Sequence, residues 1–140
     1  MIDELLDLGR LLSQDPVTME QVIARVGPVT DDGGRDRASE LRPVDARWRS
    51  ARVSRDRDTG APYLLQLAPV GALAVEALRA RLGGYERLRS HEDLPRQVVF
   101  QLPDTGLPYR AALIASLADG PAIDDATVIV IGLRRDPRLE

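Results

Sequence analysis

Tyr109–Leu117, YRAALIASL, and Thr127–Ile131, TVIVI, are the two stretches whose reading decides the fold. A strand that buries one face alternates apolar with polar residues, and these runs do not. Val128, Ile129, Val130 and Ile131 are apolar on both faces of an extended chain, as is most of Ala111–Leu117. As an open edge, 127–131 would invite aggregation. The sequence therefore predicts that this strand is interior to a sheet or pairs across a homodimer, with helices over one face and loops or a second subunit over the other.

Working outward, 97–102, 109–117 and 126–133 are three strands joined by the turns Pro103–Pro108 and Asp119–Asp125. Upstream, 47–56 and 62–68 flank Asp58-Thr59-Gly60-Ala61 and read as a hairpin. Between the two groups, Val70, Leu73, Ala74, Ala77, Leu78 and Leu82 share one helical face, which Gly83-Gly84 ends. The N-terminal part reads as two helices. Ile2, Leu5, Leu6, Leu8 and Leu12 make an apolar stripe over 2–13. Over 19–26, Thr18 is the N-cap, Gln21 its reciprocal partner, and Val17 with Val22 the hydrophobic staple. Gly27 is read as a left-handed C-terminal residue, and Pro28 bars continuation. Residues 29–46 look like a long loop with at most one helical turn near 38–41, and 85–95 carry no clear pattern. The element order is ααββαβββ. The fold class is α+β, a mainly antiparallel sheet of about five strands with helices packed on it, in a single domain spanning 1–140.

The chain has 140 residues, 44% of them hydrophobic and 29% charged, enough for a packed core and an ordinary surface. No apolar run reaches the ~18 residues of a membrane span. There is no cysteine, which excludes disulfides, thiolate metal sites and thiol nucleophiles, and there is one histidine. All 19 basic residues are arginine, and lysine and asparagine are absent. A GC-rich, bacterial genome explains that bias, so arginine abundance is no sign of nucleic-acid recognition. Met1–Leu5 shows no basic or long apolar leader, and a cytoplasmic location is expected. Net charge is uneven: −5 over residues 1–45, +4 over 46–96 and −2 over 97–140. That pattern suits a steered partner surface or, the favoured reading, segments that pair with one another.

Asp58-Thr59-Gly60-Ala61-Pro62-Tyr63 and Asp104-Thr105-Gly106-Leu107-Pro108-Tyr109 differ at one position. Two Asp-Thr-Gly triplets are similar to the signature of aspartic proteases, whose paired carboxylates share a proton. Arg57 and Pro103 stand where that signature has an apolar residue, and Ala61 and Leu107 where it has a hydroxyl. Turn chemistry, with Asp accepting local N–H bonds and Gly at positive φ, is the better reading. His91-Glu92-Asp93 is adjacent in sequence and lacks the convergent ligands a metal needs. Asp31, Asp32, Gly33, Gly34 and Asp36 lack the spacing and terminal glutamate of a calcium loop. No phosphate loop, dinucleotide motif or nucleophile elbow is present, so no catalytic residue, metal or cofactor is assigned.

The candidate site is the run Arg47, Trp48, Arg49, Arg52, Arg55 and Arg57. In an ideal strand Arg47, Arg49, Arg55 and Arg57 share one face, and Trp48 and Arg52 the other. Arginine and tryptophan are common anchors at protein interfaces. The plain alternative is a solvated face pairing with Asp36, Glu40 and Asp45. The expected function is a small, non-catalytic protein-binding module of immunity, antitoxin, secretion-chaperone or adaptor type. A ligand binder or motif-less enzyme is the alternative, its pocket between sheet and helices with His91, Asp93 or Tyr109 near the rim. Nucleic-acid binding through the arginines is the third reading, disfavoured by the net negative charge. A homo-oligomer is compatible with all three; a membrane is not expected.

Overall fold

The structure is a computed structural model that describes residues 1–33, 36–88, 95–120 and 122–137. In chain order the elements are α1 (Ile2–Leu12), α2 (Met19–Val26), β1 (Val29–Asp31), β2 (Ser39–Leu41), β3 (Trp48–Arg55), β4 (Pro62–Pro69) and α3 (Val75–Leu82). They continue with β5 (Glu86–Arg87), β6 (Arg96–Gln101), β7 (Tyr109–Leu117), a 3-10 turn at Ile123–Asp125, and β8 (Val128–Pro137). The class is α+β, and every strand pairing is antiparallel. The sheet has eight strands rather than about five, in the order β1-β2-β3-β4-β8-β7-β6-β5. The extra strands β1, β2 and β5 have three, three and two residues. Two of them fall in 29–46, expected as a loop, where 39–41 is strand rather than helical turn. Elements this short carry no periodicity to read.

The apolar run that decided the fold is interior: β8 lies between β4 and β7. Two rows cross four strands, Leu65–Leu133–Leu113–Phe100 and Leu67–Ile131–Ala115–Val98. Each of these side chains is at most 1% exposed. Leu5, Leu8 and Leu12 of α1, Val22 and Val26 of α2, and Val75 and Leu78 of α3 close over this face in one continuous cluster. Full burial of each large aliphatic or aromatic chain contributes roughly 1.5–3 kcal/mol.

The lack of alternation in 127–131 has a local cause. The β7–β8 register shifts between Ser116 and Leu117, so that Leu117 faces Val128 and Ser116 faces Val130. Ile129 is left in the irregularity, 42% exposed. The helix expected from Val70 starts at Val75, because the preceding residues are held extended against β8. Leu73 accepts from Val128 N–H, and Val75 N–H donates to Ala126. The α2 reading holds closely: the capping box of Thr18 and Gln21 is formed, and Val17 and Val22 are both buried. Gly27 differs from the expected left-handed residue, with φ 149° and ψ 173°. No helix among the described residues is long and apolar enough to cross a membrane.

Candidate functional site

The arginine run occupies β3, but not with ideal alternation. The register against β4 shifts between Trp48 and Ser50, where Trp48 faces Pro69 and Ser50 faces Ala68. One extra residue re-phases the strand. Trp48 therefore joins the core with Ala51 and Val53, at 5% exposure, while Arg52 stands on the opposite, exposed face. The expected grouping of Trp48 with Arg52 is corrected by this bulge. Arg55 follows Ala51 and Val53 on the inward face by alternation, its side chain 19% exposed, while a second shift between Ser54 and Arg55 leaves Tyr63 of β4 as the extra residue.

The arginines meet the acidic N-terminal segment. Arg47 bonds Asp45 at 2.7 Å and also Glu4; Arg52 bonds Glu40 at 2.7 Å; Arg55 bonds Asp32 at 3.0 Å; Arg57 meets Asp36 at 3.5 Å. With Arg81–Asp3, six of the ten ion pairs among the described residues join 1–45 to 46–96. The charge asymmetry of the sequence is thus answered largely within the chain. Exposed pairs contribute about 0–1 kcal/mol each, so they hold register more than they stabilise. Arg49 is exposed and takes part in none of these pairs.

Glu4, Asp45 and Arg47 form the most perturbed group. Burial, then a hydrogen bond and repulsion from Asp45, raise the Glu4 pKa above its ordinary value, against the pull of Arg47 and of the nearby Trp48 indole N–H. The Asp45 carboxylate is held well below the usual range, chiefly by Arg47 side-chain and backbone hydrogen bonds. The first proton taken up on acidification therefore goes to Glu4. A raised folded-state pKa contributes stability that is present below about 4.5 and lost as pH rises through the raised value. Glu4→Gln, which mimics the protonated form, should match the parent near pH 4 and exceed it at pH 7 by less than about 1 kcal/mol. Asp45→Asn should instead cost stability throughout this range, because a lowered carboxylate pKa gives up its contribution only as pH falls below about 3.8; thermal melts from pH 7 down to about 3 read both.

Both Asp-Thr-Gly triplets are hairpin turns. Gly60 and Gly106 have φ of 75° and 76°. Gly106 N–H donates to the Asp104 carboxylate, whereas at the first turn Asp56, not Asp58, accepts from Asp58 and Thr59 N–H. Asp58 and Asp104 are exposed at their turns, unlike a buried dyad. His91, Glu92 and Asp93 lie outside the described residues, as does Gly34. Asp31 and Asp32 bond Arg37 and Arg55. No group of three metal-ligating side chains occurs among the described residues.

Two surfaces stand out that the sequence reading did not assemble. The first is the sheet face opposite the helices, where Ser50, Arg52, Gln66, Ala68, Val130 and Ile114 come together from β3, β4, β8 and β7. Non-alternation at Ile114 and Val130 was its signal. The second is an open cleft of about 690 Å³ at one end of the sheet, on the helix-bearing side. Tyr63, Tyr109, Arg55 and Arg135 line it from four neighbouring strands, walled by 15–20 and the β3–β4 turn. Of the rim residues expected for a pocket, Tyr109 is placed here. Tyr63 and Arg135 left no signal, since the register that unites them is a tertiary fact.

Comparison with known proteins supplies no relative: no protein-family model matches the chain, and neither a curated protein nor a solved structure matches it significantly.

Proposed function

We propose that this chain is a small, non-catalytic protein-binding module that meets its partner with the uncovered face of the sheet, from Arg49 and Arg52 of β3 across to β7. The observation that carries the reading is the asymmetry of the layers. All three helices bury their apolar residues in one cluster on one face, and among the described residues no helix packs on the other. A sheet needs apolar cover on one face only. A purely polar outer face would serve that purpose, yet Leu64, Ala68, Val130 and Ile114 stand half-buried within it. Ser50, Gln66 and Ser116 lie among them, and the ion pairs Arg52–Glu40 and Arg134–Asp136 flank them. An apolar centre with a polar rim is the composition of an interface.

The paired arginines weigh against nucleic acid, whose binding rests on cations available to phosphates. Trp48 is no anchor in this reading; its role is to pack β3. Affinity capture from native-host lysate, with the parent chain, Val130→Arg and Arg52→Glu, tests the proposal. A stoichiometric protein retained by the parent and lost from Val130→Arg, with weaker loss from Arg52→Glu, is the expected result. Retention indifferent to both substitutions, or no retained protein at all, sinks it.

A further inference from the structure

We propose that the cleft at the end of the sheet binds a basic peptide segment, seating an arginine or lysine side chain on the ring of Tyr63. This site is separate from the uncovered sheet face and stands or falls independently of it. Its volume, about 690 Å³, is within the ~300–1,000 Å³ of ligand sites. Its lining mixes Val17, Met19 and Pro137 with the two tyrosines and with charges of both signs.

The disposition of those charges chooses the ligand. The two arginines are sunk and committed to the fold. Arg135 is 10% exposed; it donates to the Leu12 carbonyl at 2.9 Å and the Gln14 carbonyl at 2.8 Å, and meets Asp15 at 3.6 Å. Arg55 is 19% exposed and bonded to Asp32. The carboxylates stand outward instead: Glu20 is exposed, Asp15 is 57% exposed beside Arg135, and Asp56 is exposed although it also accepts two turn N–H groups. A ligand entering the mouth meets negative charge first. The aromatic floor offers the complementary surface. The fold already seats one guanidinium on a tyrosine here, with Arg135 3.4 Å from the Tyr109 ring centroid. Tyr63 is the neighbouring ring of the same floor, 42% exposed and with no guanidinium over it among the described residues. A cation over an aromatic face, backed by carboxylates, is a recognised mode of binding basic side chains.

A labelled Arg–Gly repeat peptide, its Glu–Gly counterpart and fluorescence polarisation test this. The parent protein should bind the arginine peptide, more weakly as salt rises, and should not bind the glutamate peptide. Tyr63→Ala leaves the net charge unchanged and should weaken binding about three- to tenfold, the range of a single cation–π contact. Tyr63→Phe should retain most of it. Glu20→Arg should weaken it further, whereas Val70→Arg, at an exposed position just past the opposite end of β4, should change binding little. Circular dichroism confirms that each variant is folded. Absence of binding by the parent, equal binding of the glutamate peptide, or full binding by a folded Tyr63→Ala each overturns the proposal. The last result would reduce the interaction to general attraction by an acidic protein.

Discussion

Gly27→Ala should destabilise the fold by about 3–5 kcal/mol, a large part of the ~5–15 kcal/mol margin of an ordinary domain. Two causes add. At φ 149° the residue sits in a region that side chains rarely adopt, which costs about 1–3 kcal/mol. A β-carbon there would also lie 1.8 Å from the Arg42 carbonyl oxygen. That oxygen belongs to backbone that cannot rotate away. The segment after β2 crosses the end of α2, where Arg42 N–H donates to Pro28 and Val44 N–H donates to Val26, both at 2.9 Å. Relief of the clash must break this crossing and release β1 and β2 from the helix. Gly106→Ala supplies the control. Gly106 has φ 76° but nothing within 4 Å of its would-be β-carbon, so that change should cost only about 1–2 kcal/mol. Denaturant melts of the two variants separate the terms. Equal losses would mean that the crossing yields easily and that backbone strain alone is at work.

Gly27 also marks the limit of sequence reading in this protein. Helix end and glycine were legible, because capping chemistry is local: Thr18, Gln21, Val17, Val22 and Gly27 all act within one short stretch. The conformation was not, because the reason for glycine is a chain segment that returns from residues 42–44. The same division holds elsewhere. The pattern gives β7 its observed limits, and the composition of 127–131 leaves β8 either inside the sheet or across a homodimer, of which the structure shows the first. β1, β2 and β5 escaped because two or three residues cannot display a period, and their pairing comes from neighbours. The arginine run was recognised as a strand, and its pairing with Asp36, Glu40 and Asp45 was among the readings. Its two faces were misjudged because a bulge at Arg49 shifts every later side chain. Such an insertion leaves no trace in residue types. The end cleft is less legible still, since Tyr63, Arg135 and Tyr109 become neighbours only through the order β4-β8-β7.

Trp48 distinguishes a core role from an anchoring one, and its substitution should be the second large effect. The indole is 5% exposed and stands in the central cluster at the start of β3. Trp48→Ala should cost about 3–5 kcal/mol, as loss of a buried large aromatic does. Trp48→Phe should cost much less. Among the described residues the indole N–H has no partner within hydrogen-bond geometry, though it lies near enough to the Glu4 carboxylate to draw that pKa down, so its removal forfeits at most a weak contact and takes away a buried polar group. Phenylalanine keeps the apolar body, and the remaining cost is that of the smaller volume. An exposed anchor would behave in the reverse way, with little change in stability from either substitution and a loss confined to partner affinity. The measurement is direct, because Trp48 is the only tryptophan in the chain and all indole emission belongs to it. Blue-shifted emission that moves to the red in step with unfolding is expected, together with a steep fall in melting temperature for Trp48→Ala alone. Emission already that of a solvated indole, or an alanine variant as stable as the parent, would return Trp48 to the surface and the arginine strand to the role of an aromatic-bearing contact.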